Sequence, residues 1–440
     1  MCTKIHLVLL FSHIFTLQTF AQVNWPQFRG ESCGVVKDEV LPLTWDTKEN
    51  VLWTADIPGR GWSCPIVWGD KIYLTTVASE GQVEEAKKGL YLGGNRNKPS
   101  TDTHHWIVYC FDWDSGEILW QKTVHIGKPA EPVHIKNTYA SETPVTDGER
   151  VYVYFGNLGA FCFDLDGNEL WRAKLDPVKM RHDWGTAASP VLHENKLFIV
   201  NDNEEDSYLL ALNTKTGEEV FRIDHHEKSN WATPYIWQNS KRTELVTCGT
   251  NKVRSYDLEG NLLWELGPMS SIVIPTPVEH NDLLYICSGF VGDLKNRPIY
   301  AVRPGATGDI SPDDNIPGEY IAWFHKTGGP YNPSPIAYGD YFYVLFDRGT
   351  VNCFESLSGK LVYEKQRLAD DAKAFTASPW ANDGKLFFLS EDGDTFVVQA
   401  GPEFKILGRN PLNEMCMATP ATLRGRIIIR TLTKLYSIGE

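Results

Sequence analysis

The 440-residue chain is predicted to be all-β, an eight-bladed propeller of four-stranded blades closed by an N-terminal strand that completes the last blade. Three observations carry that expectation. A small residue followed by proline recurs eight times, as Ser63-Cys64-Pro65, Thr143-Pro144, Ser189-Pro190, Thr233-Pro234, Thr276-Pro277, Ser334-Pro335, Ser378-Pro379 and Thr419-Pro420. Successive prolines lie 79, 46, 44, 43, 58, 44 and 41 residues apart, a base period of about 43 with two insertions, which is the length of one propeller blade. In five units a glycine stands four residues before a bulky aromatic: Gly116/Trp120, Gly167/Trp171, Gly217/Phe221, Gly260/Trp264 and Gly359/Tyr363. Within one unit, the apolar runs Val151 to Phe155, Gly159 to Phe163 and Glu169 to Ala173 are separated by Gly156-Asn157 and Asp166-Gly167-Asn168. Short aromatic runs bounded by Gly, Asn and Asp are strand and hairpin signals.

The remaining pieces follow in chain order. Residues 1 to 21 read as a signal peptide, with Lys4, an apolar stretch from Leu7 to Phe20, and Thr19-Phe20-Ala21 before Gln22. No cysteine follows that cleavage position, so a periplasmic or secreted protein without a lipid anchor is expected. Residues 22 to 440 are expected to be one domain, with 22 to 48 as an entry segment. Asn50-Val51-Leu52-Trp53 is a spare outer strand, and the unit starting at Pro420 supplies only Arg426 to Arg430 and Leu435 to Ile438 after its opening. Joining the two would complete blade eight and remove an exposed edge. The insertion in blade one, residues 79 to 105, carries Lys87, Lys88, Gly93 to Arg96, Lys98, His104 and His105. It falls between the second and third strands and is expected to project over one end of the channel as a lid or binding loop.

A net charge of −14 repels polyanions, so nucleic acid is excluded as a partner. No apolar run beyond the N-terminus approaches a membrane span. Of nine cysteines, Cys2 belongs to the signal peptide, and Cys110, Cys162 and Cys353 share one repeat position and are expected to be buried thiols. Cys64 and Cys416 fall in adjoining blades but are offset by three residues relative to Pro65 and Pro420, which disfavours a disulfide.

The pattern Ser141 to Tyr152 leading to Phe163-Asp164-Leu165-Asp166-Gly167-Asn168-Glu169-Leu170-Trp171 resembles the PQQ-like (pyrroloquinoline-quinone-type) propeller repeat. Trp25-Pro26-Gln27-Phe28-Arg29-Gly30 and Glu49 to Trp53 are similar to the entry segment of secreted bacterial members, and the resemblance covers residues 25 to 440. It implies the fold but no single activity, because quinone-dependent dehydrogenases and a lipoprotein scaffold of the outer-membrane barrel-assembly machinery share the repeat. The dehydrogenases resemble one another in an adjacent Cys-Cys pair over the quinone and a carboxylate and amide set that binds calcium. This chain has no Cys-Cys dipeptide. No cofactor is therefore expected, with the quinone and calcium kept as the alternative and Asn201, Asp202 and Asn203 as the calcium-capable oxygens. Those three read more simply as a polar hairpin loop. The scaffold is held by a lipidated cysteine for which this chain has no counterpart, so its resemblance is one of fold.

In a propeller, the loops entering the innermost strands and those joining second to third strands gather at one end. Those loops are rich in rings and charges, and functional residues collect on loops held by a rigid scaffold. The ligand-binding candidates are Arg60, Trp62, Lys136, Asn137, Trp184, Lys228, Asn230, Trp231, Tyr331, Asn332 and Lys373. A ring stacks on the apolar face of a sugar while charges bind hydroxyls or carboxylates. Trp62, Trp184 and Trp231 stand just before the prolines, so packing between blades is the competing reading. If the protein is an enzyme, His134, Tyr139, Arg181 and His182 are the candidates for acid–base work on a glycan or uronate. The main expectation is a monomeric binding or scaffolding module for a glycan, a small polar ligand or a protein partner. A carbohydrate-active enzyme is the alternative, and a quinone-dependent dehydrogenase the third reading.

Overall fold

The computed structural model describes residues 24–440 except 38, 83–84, 92–97 and 314–315. The signal-peptide reading of residues 1 to 21 and the Gly93 to Arg96 part of the insertion lie outside the described residues. Eight antiparallel sheets form the eight blades of a propeller, each running outward from a short inner strand. Blade one, for example, is built from Ile66–Trp68, Lys71–Ser79, His104–Asp112 and Ile118–Gly127. The second and third strands of the blades are almost wholly buried, whereas the outer strands alternate exposed and buried positions. That is the pattern of a sheet packed on both faces at its centre and solvated at its rim. Val51–Asp56 is the outer strand of blade eight, antiparallel to Lys434–Ile438, and closes the ring as the spare-strand argument expects.

The small-residue–proline repeat now has a physical reason. The residue before each proline lines the channel, and its backbone N–H donates to the corresponding side chain of the next blade. Cys64 N–H donates to Thr143 Oγ1 (3.0 Å), Thr143 to Ser189 Oγ (2.9 Å) and Ser189 to Thr233 Oγ1 (3.1 Å). Thr276 donates to Ser334 Oγ, Ser334 to Ser378 Oγ, Ser378 to Thr419 Oγ1 and Thr419 to Cys64 Sγ (3.2 Å). Seven links thus form a girdle that staples neighbouring blades while the proline, lacking an N–H, starts the inner strand. Among the described residues the eighth link, from Thr233 to Thr276, is open.

A second girdle explains the repeated glycine. Trp53, Trp120, Trp171 and Trp323 each donate Nε1–H to a carbonyl of the following blade, at 2.7–3.1 Å. The tryptophan rings lie on Gly116, Gly167, Gly217 and Gly359, where a Cβ would collide with the ring and where φ is positive. Trp264 breaks the series, donating to Glu244 Oε2 of its own blade at 2.6 Å. At that seam, Gly308–Asp309 from the blade-five insertion adds a parallel strand to blade four, and Lys252 pairs with Asp309 at 2.6 Å. The insertion supplies the attachment that both girdles leave out between blades four and five.

The entry segment crosses the end of the channel opposite the loop-rich face. Trp25 exchanges two backbone hydrogen bonds with Val67 of blade one, and Thr146 N–H of blade two donates to Pro26 O. Farther on, Ala381 N–H of blade seven donates to Gly34 O, and Val35–Val36 pairs in parallel with the inner strand of that blade. This last pairing has no counterpart in the sequence pattern. The eight described cysteines are all buried and free, Cys64 and Cys416 included. Among the described residues no helix is long and apolar enough to cross a membrane.

Candidate functional site

The channel holds a cavity of about 250 Å³. Its wall is the pre-proline girdle, its floor is Phe28 of the entry segment, and its upper wall carries Trp62, His134, Lys136, Asn137, Trp184, Trp231, Tyr331 and Asn332. Sequence-predicted ligand-binding positions from five different blades therefore meet at one place. The tryptophans pack between blades and also border the cavity: Trp62 Nε1–H donates to Lys136 O (2.8 Å) and Trp231 Nε1–H to Gly185 O (2.6 Å), each in the neighbouring blade. Trp184 and Trp231 lie 5.8 Å apart centroid to centroid, and His134 stands edge-on to Trp184 at 5.1 Å. The result is an aromatic wall with one imidazole on it.

The blade-one insertion roofs this cavity. Gly89, Leu90 and Tyr91 line it from above. Ala86 packs beside Trp62, Met415 and Met417, and Leu90 packs against the cluster of Trp184, Trp231, Ile272 and Tyr331. Polar contacts tie the roof to blade seven: Lys88 pairs with Asp392, and Gly89 N–H donates to Glu391 Oε2 at 2.8 Å. Glu391 is 1% exposed and also accepts from Thr376 Oγ1 (2.6 Å) and from Lys136 Nζ (2.7 Å), which reaches it from blade two. One carboxylate thus gathers the roof, blade two and blade seven. Next to it, Asp347 is buried and accepts from Asn332 N–H at 3.1 Å. Burial pushes its carboxyl up to about 6, the nearby Glu391 adds to the rise, and Lys136 opposes it.

The other predicted site residues lie elsewhere. Arg181 donates to Ser271 O (2.6 Å) and pairs with Glu204 at 3.4 Å; Lys228 is exposed near the same carboxylate. His182 is exposed, with φ of 54°, its ring 5.3 Å from that of Trp184. Tyr139 packs edge-on to His104 at 5.5 Å and borders two cavities outside the channel. His134 and His182 both pack on Trp184, with Arg181 in the same turn as His182, whereas Tyr139 packs on His104; of the four acid–base candidates only His134 lines the channel cavity. Asn230 is buried and donates to Asp202, which also accepts from His225 Nδ1 at 2.6 Å. Asn203 orders its own hairpin through Asn201 O and Asp206 O, so the amide and carboxylate oxygens of Asn201, Asp202 and Asn203 serve the scaffold. Among the described residues no three His, Cys, Asp or Glu side chains are placed to hold a metal ion. Arg60 forms a backbone bridge to Val77, and Lys373 is exposed and off the cavity. A polyanionic quinone does not fit this donor set, because the lysine lining the cavity is already paired with Glu391.

The sequence argument missed Phe28, Leu90, Tyr91, Thr376 and Met417 as cavity residues. Apolar positions in an insertion and an entry segment carry no periodic signal. Glu391-Asp392-Gly393-Asp394 reads as an ordinary acidic turn until the fold sets it opposite Lys136.

Residues 104–294 match the propeller family described as "Outer membrane protein assembly factor BamB". No curated protein matches the sequence. Among solved structures, the chain is similar to BamB from Moraxella catarrhalis, with a TM-score of 0.56 at 11% identity over 88% of this chain and 99% of that one. It is also similar to the computationally designed Ika8 protein, with a TM-score of 0.53 at 12% identity over 79% of this chain and 98% of the design. At those identities the structural likeness is one of fold. The girdles, the strand alternation and the eight sheets show an eight-bladed β-propeller, of which residues 104–294 match the PQQ-like family model described for BamB.

Proposed function

We propose that the protein is a periplasmic or secreted binding module whose ligand, a small glycan, occupies the channel beneath the roof formed by residues 86–91. The observation that carries this reading is the lining of the cavity: the rings of Trp62, Trp184, Trp231 and Tyr331 border it together with the polar His134, Lys136 and Asn137. An apolar pocket with a few convergent polar groups is the usual form of a small-molecule site. The family match to an assembly factor supports an envelope location and leaves the outer surface available for scaffolding toward a protein partner. Binding is preferred to acid–base catalysis because, of His134, Tyr139, Arg181 and His182, only His134 lines the channel cavity.

A calorimetric screen against neutral and uronate-bearing oligosaccharides tests the reading. Trp184→Ala is expected to weaken the best ligand by about 1–3 kcal/mol, the usual worth of ring stacking, while Arg181→Ala leaves affinity unchanged. The glycan is recovered intact after long incubation. Unchanged affinity in a folded Trp184→Ala protein removes the channel as the site, and release of shorter or unsaturated products overturns the binding reading in favour of an enzyme.

A further inference from the structure

Blade one is taller than blade two, and the seam between them is hollow where the extra height begins. The second, third and outer strands of blade one run nine, nine and ten residues, against six each in blade two. Both second strands start six residues after their prolines, at Lys71 and Arg150, so the surplus falls at the loop-rich end. There Trp106, Val124 and His125 of blade one line a cavity of about 390 Å³ together with Phe155, Leu158 and Phe161 of blade two. The loop entering blade two divides it from the channel: Val133, Thr138 and Tyr139 line this cavity, whereas His134, Lys136 and Asn137 line the channel.

The wall of this cavity is ring-rich and its polar groups are spent on the protein. Phe155 and Phe161 meet edge to face at 6.1 Å, and His125 stands edge-on to Trp106 at 5.1 Å. Thr186 Oγ1 donates to Glu142 Oε1 (2.6 Å), Asn157 Oδ1 accepts from Val178 N–H (3.1 Å), and Thr138 Oγ1 bonds to Ser141 Oγ (3.0 Å). Such a wall offers contact to rings and little to hydroxyls. The exposed border is cationic. Lys128 and Lys174, one from each blade, are exposed and, among the described residues, have no ion pair. Arg172 lies over the Phe161 ring at 5.3 Å and pairs with Glu169, and Asp176 is the carboxylate on the border. Burial and then Arg172 hold the His125 imidazole below its usual range, so the positive charge here at neutral pH is that of the lysines and the arginine. In a chain of net charge −14, a cavity with three cations against one carboxylate favours an anion.

We propose that the cavity between blades one and two binds an aromatic carboxylate, its rings among Trp106, Phe155 and Phe161 and its carboxylate at the border with Lys128 and Lys174. Lysine suits that role, because its ammonium is a compact charge on a flexible four-carbon stem. The site is independent of any glycan in the channel.

Calorimetry on the full chain with naphthoate tests the proposal. One saturable site is expected. Naphthalenemethanol, which keeps the rings without the charge, and decanoate, which keeps the charge without the rings, should each bind about tenfold more weakly. Reversing both exposed lysines, Lys128→Glu with Lys174→Glu, should weaken naphthoate by about tenfold. Ala130→Trp, at an exposed position on the border of the cavity, should block it. Trp184→Ala, in the channel, should leave naphthoate affinity unchanged while it weakens the glycan. Absence of saturable naphthoate binding overturns the proposal, as does equal affinity for the alcohol or for decanoate. Loss of binding in Trp184→Ala with full affinity in the lysine variant would place the acid in the channel and overturn it too.

Discussion

The two ends of the channel are closed by opposite means. At the base, Trp25 (4% exposed) is built into blade one through two backbone hydrogen bonds, and the segment continues through blades two, six and seven with paired backbone and buried side chains. At the mouth, residues 86–91 cross the opening without entering any sheet, held by Leu90 packing, one backbone-to-carboxylate bond and the Lys88–Asp392 pair, whose side chains are 49% and 36% exposed. The difference teaches which closure is built into the sheets and which rests on side-chain contacts. Backbone pairing inside a buried ladder opens only with the domain, whereas a strap held by side chains opens locally.

The largest expected effect lies at the base. Trp25→Ala removes a buried ring and should cost about 3–5 kcal/mol in denaturant unfolding; a loss below about 1 kcal/mol would mean that the base is as dispensable as the mouth.

The next effect distinguishes the mouth by its acid–base behaviour. Burial holds the Asp347 carboxyl at about 6 against 3.8 for a free one, so folding favours its protonated form. Its contribution to stability is fully present below the free value and is lost as pH rises through about 6. Asp347→Asn is therefore expected to gain on the order of 2–3 kcal/mol at neutral pH and almost nothing at pH about 4, read from unfolding curves at the two pH values. An equal change at both would show that the carboxyl is not held protonated.

The smallest effect is at the exposed tie of the roof. Lys88→Ala should lower stability by less than about 1 kcal/mol, yet it should speed ligand entry in stopped-flow fluorescence of the channel tryptophans. Unchanged entry rates would mean that the strap does not gate the cavity.

Much of this architecture was legible in the residues alone. The proline period gave eight blades, and the incomplete unit after Pro420 gave the closing strand, because both follow from repetition. The convergence of Trp62, Lys136, Asn137, Trp184, Trp231, Tyr331 and Asn332 followed from the same bookkeeping of loops. Two things did not. Arg181, Lys228 and Asn230 look like ligand-facing loop residues in sequence, but each finds a partner in an adjacent loop, on Glu204 or Asp202. The pairing of Val35–Val36 with blade seven is made by the backbone of a two-residue strand, too short for any alternation to announce it.

Amide hydrogen exchange tests the central claim most directly, that the channel opens at its mouth and not at its base. Gly89 N–H is bonded to Glu391, while Val67, Thr146 and Ala381 N–H are bonded to the entry segment. The account predicts that Gly89 exchanges through a local opening far faster than those three, which exchange only on global unfolding, and that a channel ligand slows Gly89 alone. Protection of Gly89 equal to that of Val67, Thr146 and Ala381, or a base that opens as readily as the mouth, would contradict it.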